Sequence, residues 1–325
     1  QFKTCYNIVI IQRYIMNYFE LQPEENTFSN IVIDITHQCN MECANCYIPN
    51  RDVPDLDKKK LYNFLSRLPN RTYIRIIGAE PTMRSDLCEI ISTIKKIGHR
   101  PSLTTNGLKL ANKKYVKSLK DSGLRLLLHS MNGADDNSVY KTLDNGKWEN
   151  VKLKALNNIF AERLPINTGT IIAKGINEFT MKRQIEVFAD TALKNNINFD
   201  TTPPYNKITP VLRMKSVGQI GRFMEECSYT MDELITLAEN RLGVKKEQMI
   251  KTSAGVVRAG PTMEALTSMM FPYKTNAGNI LVRLIDWQTN DDGVIDHDNP
   301  NRGRLTENFT IAPFFEHVKA NENGY

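Results

Sequence analysis

Apolar residues along this chain alternate between two periods, and the alternation outlines a fold. Six short runs carry the spacing of strands, at residues 30–36, 72–77, 101–105, 124–130, 166–173 and 198–202. Between them the spacing lengthens to that of a helix. Leu61, Phe64, Leu65 and Leu68 share one helical face, and so do Leu87, Ile90, Ile91, Ile94 and Ile97, the clearest helix in the chain. Weaker amphipathic stretches cover 115–119, 153–160 and 181–193. Strands alternating with helices imply βαβ units and a parallel sheet. The pattern by itself allows an open doubly wound sheet or a barrel, complete or partial.

The rhythm breaks at about Asn206. A segment with glycine and arginine, Arg213-Met-Lys-Ser-Val-Gly-Gln-Ile-Gly-Arg222, leads to an expected helix at 231–242, a strand at 278–287 and a turn at Asn290-Asp-Asp-Gly293. The expected organisation is an N-terminal extension (1–29), a core (30–205) and a C-terminal α+β cap (206–325).

Composition narrows the class. The 325 residues are 41% hydrophobic and 24% charged, which supports one large domain plus an addition, or two domains. The run Ile8-Val-Ile-Ile-Gln-Arg13 is too short and too soon interrupted for a membrane span or a signal peptide. The chain begins at Gln1, so the native start is expected upstream. The net charge of +6 is scattered, which admits acidic or phosphorylated substrates but offers no basic stripe for nucleic acid. Six cysteines, three of them clustered, do not form a disulfide framework and point to the reducing cytoplasm.

The cluster is Cys39, Cys43 and Cys46, in a C-x3-C-x2-C run just after the strand Ile31-Val-Ile. Soft thiolates select zinc or an iron–sulfur cluster. A cubane cluster takes four protein ligands, so three leave one iron open for a cosubstrate, as a catalytic metal keeps one position vacant. The competing reading is structural zinc, but its second C-x2–4-C half-site is missing.

This spacing resembles the signature of the radical S-adenosylmethionine (SAM) enzymes. Further segments resemble theirs in the same order. Gly78-Ala-Glu-Pro81 is similar to their Gly-Gly-Glu-Pro, and Thr104-Thr-Asn-Gly107 to the Thr-Asn-Gly ending their third strand. Ser130-Met-Asn-Gly133 is similar to their Ser-Leu-Asp-Gly, with Asn132 in place of the aspartate. Thr170-Ile-Ile-Ala-Lys-Gly-Ile-Asn-Glu178 is similar to the segment that packs on the adenine. One departure is Asn45, where many members carry an aromatic before the third cysteine.

The resemblance implies a partial (βα)6 TIM-like barrel, open on one side, with the C-terminal α+β cap closing it. It implies a [4Fe–4S] cluster on the three cysteines and SAM as cofactors. Gly78, Ala79, Glu80, Pro81, Thr105, Asn106, Ser130, Asn132 and Lys174 are the expected SAM contacts, Glu80 through the amino group and Ser130 through a polar part of the rest. The implied reaction is reductive cleavage of SAM to a 5′-deoxyadenosyl radical, followed by hydrogen abstraction. The substrate expected is a small polar biosynthetic metabolite such as a sugar or nucleoside, with epimerisation, rearrangement, dehydration or C–C bond formation as outcomes. The expected partners are that small molecule and an external one-electron donor such as flavodoxin or ferredoxin, with no nucleic acid. An RNA- or peptide-modifying enzyme and a zinc-stabilised binding module are the alternatives.

Other residues carry weaker signals. Cys227 is a candidate hydrogen-atom donor, as in radical epimerases, against the ordinary reading of a small buried hydrophobe. Cys5 and Cys88 are spare thiols, and no second set of cysteines exists for an auxiliary cluster. Arg213, Lys215 and Arg222 suit a phosphate or carboxylate, although charged loop residues are ordinarily solvated. Asn177 and Glu178 suit a helix cap. Glu316 and His317 suit an acid–base pair, but flanking Phe314 and Phe315 favour a docked structural segment.

Overall fold

The computed structural model describes residues 19–46, 48, 50–218, 222, 224–251, 268–286 and 302–313. Its frame is six parallel strands in chain order: β1 (Asn30–Asp34), β2 (Tyr73–Ile77), β3 (Arg100–Thr105), β4 (Leu126–Ser130), β5 (Ile166–Ile172) and β6 (Val211–Ser216). Helices α1 (Lys58–Ser66), α2 (Leu87–Ile97), α3 (Lys113–Asp121), α4 (Asn137–Asp144), α5 (Glu149–Ala161) and α6 (Met181–Lys194) fall between them. After β6 come α7 (Met231–Leu242), β7 (Ile250–Lys251), β8 (Ser268–Thr275), β9 (Gly278–Ile285), β10 (Arg302–Leu305) and β11 (Ile311–Pro313).

One sheet of order β11-β10-β1-β2-β3-β4-β5-β6-β9-β8-β7 results, and its two edges are not joined. It is the expected partial (βα)6 barrel, although its sixth strand lies beyond residue 205, and the segment after β6 continues the sheet at both ends. β10 adds in parallel to β1 and β9 in parallel to β6, while β8 forms an antiparallel pair with β9. Among the described residues, no helix is long and apolar enough to cross a membrane.

Local chemistry explains the helices. Asp57 caps α1 by accepting from the Lys59 and Lys60 N–H groups, and Asn112 caps α3 in the same way. α2 buries Leu87, Ile90, Ile91 and Ile94 and ends at Gly98, whose φ of 114° a side chain would resist.

The sixth strand differs from expectation. Residues 198–202 form turns, because Phe199 is drawn into an aromatic cluster with Phe160, Phe188 and Tyr205 at centroid distances of 5.5 to 6.2 Å. Apolarity there serves packing beneath α5 and α6. The true strand, β6, buries Leu212, Met214 and Ser216 and turns Arg213 and Lys215 inward, so its alternation sets apolar against cationic residues.

The edge at β1 is held by an ion pair between Arg304 on β10 and Asp34 at the end of β1, with side chains 2% and 12% exposed. Removing Asp34 takes a buried charge partner from Arg304, and breaking a buried pair costs up to about 3–5 kcal/mol. Asp34→Ala is therefore expected to lower the urea midpoint clearly. Asp121→Ala, which breaks the exposed Lys117–Asp121 pair, is expected to cost at most about 1 kcal/mol. Equal midpoints for the two variants would remove the Asp34 pair as a support of that edge.

Candidate functional site

The cysteine loop leaves the carboxyl end of β1, the end at which a parallel barrel places its chemistry. Backbone bonds tie it to the segment after β2: the Ala79 N–H donates to Thr36 O at 2.9 Å and the Glu80 N–H to Gln38 O at 3.0 Å. This approach needs a glycine. Gly78 has φ of +151°, and a Cβ there would lie 2.4 Å from Thr36 O. Further along, the Ala44 N–H donates to Leu143 O, and Arg222 donates from its N–H to Cys46 O and pairs with Glu42 at 3.0 Å. Arg222 is exposed and pins the loop rather than facing an anion inside.

Cys39, Cys43 and Cys46 are half-buried and line one cavity of about 260 Å³. Gly78, Ala79, Thr105, Asn106, Ser130 and Asn132 line the same cavity. Glu80 and Pro81 do not. The Glu80 carboxylate is buried beneath the rim and accepts from Thr82 N, Thr82 Oγ1, Thr105 Oγ1 and Asn106 N at 2.6–3.0 Å. In this structure that carboxylate forms a clamp joining the ends of β2 and β3.

Lys174 and Cys227 are not among the cavity residues. Lys174 is exposed, pairs with Glu233 at 2.7 Å and lies over the Tyr229 ring. Cys227 is buried in a small apolar cluster with Val139, Leu143, Ala173 and Val217. Asn177 is no helix cap either: its amide accepts from Ala173 N and donates to Asn132 O and Ile171 O, fixing the end of β5. Cys5, Glu316 and His317 lie outside the described residues.

Sequence reasoning missed a buried polar set beneath the cysteine loop. Lys152 on α5 donates to Ser130 O at 2.9 Å and stands 3.7 Å from Asp144, while Asn132 donates to the other Asp144 oxygen at 2.7 Å. It also missed Arg75, Arg283 and Arg302, which line the cavity with Arg213 and Lys215. The signal was available: a single cation inside Tyr-Ile-Arg-Ile-Ile or Leu-Val-Arg-Leu-Ile is costly to bury without a purpose. For Arg213 and Lys215, the solvated reading is corrected, since both are half-buried strand residues facing inward.

Electrostatics of the site follow from burial. Burial, then the charge of Asp144, raises the Cys43 thiol well above its ordinary value, and burial raises Cys39. Neutral thiols have no reason to converge. Among the described residues no set of three His, Cys, Asp or Glu side chains is gathered around one ion position, and Cys46 Sγ turns to the Ile48 carbonyl at 3.2 Å.

The donor set nonetheless fits an iron–sulfur cluster. Three soft sulfurs come from one loop onto one wall, and binding would release their protons. Asn106 Nδ2 lies 3.9 Å from Cys39 Sγ and Arg51 Nη2 3.5 Å from Cys46 Sγ, placing N–H donors where they would tune cluster sulfurs.

Comparison with known proteins agrees with this geometry. Residues 33–188 match the family model described as the Radical SAM superfamily. A GTP 3′,8-cyclase of Staphylococcus aureus is 31% identical over 65% of this chain and 62% of its own length. The 7,8-dihydro-6-hydroxymethylpterin dimethyltransferase of Methanocaldococcus jannaschii is 33% identical over 32% of this chain and 22% of its own length. The chain thus spans less than two thirds of these curated relatives. Streptococcus suis SuiB, solved bound to precursor peptide SuiA, shares the fold with a TM-score of 0.52 and 18% identity, over 66% of this chain and 45% of that one. That complex corrects the expectation of a small molecule as the sole kind of substrate partner: a protein sharing this fold is solved with a peptide, so scattered charge is no guide to the partner class.

Two outcomes test the site's framework. Glu80→Ala strands four buried donors and is expected to cost about 1–3 kcal/mol in urea unfolding; an unchanged midpoint would mean that the clamp holds nothing. His129 on β4 is buried, and burial, then the charge of Lys152, pushes it down to about 3. Its folded value lies below the unfolded value of about 6.5, so the fold is favoured by the neutral ring above that pH. This stability is lost as pH falls toward about 3, by up to about 1.4 kcal/mol per pH unit. Urea midpoints of the metal-free protein should fall less steeply between about pH 7 and 5 in His129→Gln than in the wild type. Parallel slopes would remove His129 as the cause.

Proposed function

The chain belongs to the radical SAM superfamily, and from that premise we propose that it takes a hydrogen atom from a polar substrate seated in the barrel cavity. It is a catalytic member of that family, with a [4Fe–4S] cluster and SAM as its cofactors. The observation that carries the reading is the wall shared by Cys39, Cys43 and Cys46 and the strand-end residues Gly78, Ala79, Asn106 and Ser130.

When bound, the cluster and SAM supply a single electron and a carbon radical able to take hydrogen from a substrate C–H. The chain's own residues do the rest. Cys39, Cys43 and Cys46 would hold the cluster. The N–H groups of Ala79 and Glu80 are already engaged, so the carbonyl oxygens of Gly78 and Ala79 are the groups with which that wall would meet the ammonium of SAM. Ser130 offers a hydroxyl at the rim, while Asn132 spends its amide on Asp144 and the Ile171 N–H and therefore shapes the wall. The barrel excludes water from the reacting atoms. Relatives named for GTP and for a hydroxymethylpterin support a polar, heteroatom-rich substrate. Free thiols and an oxygen-sensitive cluster suit the cytoplasm.

The test is anaerobic reconstitution with iron and sulfide, followed by dithionite and SAM. Wild-type protein is expected to turn brown and form 5′-deoxyadenosine. Cys39→Ala, Cys43→Ala and Cys46→Ala are each expected to lose the cluster absorbance and the product together. Full cluster loading with no SAM cleavage would end the proposal.

A further inference from the structure

A buried ion pair stands against the cysteine loop. Asp144, the last residue of α4, and Lys152 on α5 are 3.7 Å apart, with side chains 2% and 1% exposed. Both line the cavity that Cys39, Cys43 and Cys46 line. A pair of this kind is a weak source of stability, because apolar side chains of similar volume often serve the fold as well or better. Its use has to be sought in what it faces.

It faces the middle of the loop. Ala44, next to Cys43, donates its N–H to Leu143 O at 2.9 Å, so the loop is bonded to the residue just before Asp144. That carbonyl belongs to the last turn of α4, the negative end of the helix dipole. Burial and then the charge of Asp144 raise the Cys43 thiol, while Lys152 lowers it by less. At Cys43 the carboxylate is therefore felt more strongly than its partner.

The carboxylate is held in one orientation. Asn132 Oδ1 accepts from the Ile171 N–H at 2.9 Å, which turns its Nδ2 to donate to Asp144 Oδ1 at 2.7 Å. Asp144 Oδ2 is buried, accepts no hydrogen bond and meets Lys152 only across the ion pair. Lys152 in turn donates to Ser130 O at 2.9 Å and lies 5.6 Å from the centre of the Tyr140 ring. A charge so placed acts over a longer range than it would in water, because little solvent screens it.

Resting on the reading that the three cysteines hold an iron–sulfur cluster, we propose that the Asp144 carboxylate lowers the reduction potential of that cluster, with Lys152 making the buried charge tolerable. Reduction brings one electron from a reductant, titanium(III) citrate in the test below, and so adds one negative charge beside the thiolates. A fixed negative charge next to Cys43 opposes that addition and makes the reduced cluster a stronger electron donor. This suits a reaction that opens with electron transfer to SAM. Asp144 touches no reacting atom; it acts through its field at Cys43.

The experiment is an anaerobic redox titration of the reconstituted protein without SAM, following the electron paramagnetic resonance of the reduced cluster. Asp144→Asn is expected to raise the midpoint by at least about a ten-fold change in the reduced-to-oxidised ratio at fixed potential, about 59 mV for one electron. Asp144→Glu keeps the charge and is expected to stay close to the wild type. Asp121→Asn removes an exposed carboxylate at the end of α3 and should leave the midpoint unchanged. If Asp144→Asn loads no cluster, Asp144→Ser carries the same comparison. A midpoint unchanged or lowered in the charge-free variant, or an equal rise in Asp144→Glu, would overturn the inference. So would loss of the cluster from both charge-free variants, which would make the carboxylate a structural support. Wild-type protein that loads no cluster would overturn this inference and the preceding proposal together. The expected shift without any 5′-deoxyadenosine would sink only the preceding proposal; SAM cleavage without the shift would sink only this one.

Discussion

The buried carboxylate of Glu80, with four donors from Thr82, Thr105 and Asn106, locks the ends of β2 and β3 together directly behind the cysteine loop. Every other feature of the rim takes its position from that lock. The loop is zipped to the Gly78–Glu80 segment by two backbone bonds, so whatever fixes Glu80 also fixes Thr36 and Gln38, and through them the approach to Cys39. Asn106, whose N–H completes the clamp, carries on its side chain the amide that faces Cys39 Sγ. A carboxylate so enclosed is worth its burial only because all its donors are in place, since a half-satisfied group would destabilise the same site.

Below the rim the physics reverses. The upper wall is held by the Glu80 clamp, whereas the lower wall gathers Arg75, Arg213, Lys215, Arg283 and Arg302 from four strands. Open edges make this possible. A closed barrel fills its interior with layers of apolar side chains, but here β9 and β10 extend the sheet beyond β6 and β1 and bring Arg283 and Arg302 to a widened interior. The addition after residue 205 therefore matters for the character of the cavity as well as its cover.

The family relationship and the geometry speak to different questions. The match to the radical SAM superfamily supports the chemistry proposed at the cysteine loop. It leaves the substrate open, and similar proteins are named for GTP and a pterin and, on the same fold, solved with a bound peptide. Two residues singled out in the sequence, Lys174 and Cys227, lie away from the cavity, while residues that drew no attention, Arg75 and Arg283 among them, form its walls.

What the sequence by itself determined is what depends on near neighbours in the chain. The helical face of Leu87, Ile90, Ile91 and Ile94, the cysteine spacing and five of the six core strands are local patterns of side-chain period and type, and they survive into the fold. Residues 198–202 misled because Phe199, an aromatic flanked by polar residues as in a strand, belongs instead to an aromatic cluster in a turn. The tertiary structure alone decided which distant residues meet. Glu80 could be recognised as polar and conspicuous, but only the pairing of β2 with β3 gave its carboxylate Thr105 and Asn106 to hold. Arg75, Arg213, Arg283 and Arg302 are scattered over most of the chain, and they become one charged surface because parallel register sets their inward-facing positions on neighbouring strands around the same well.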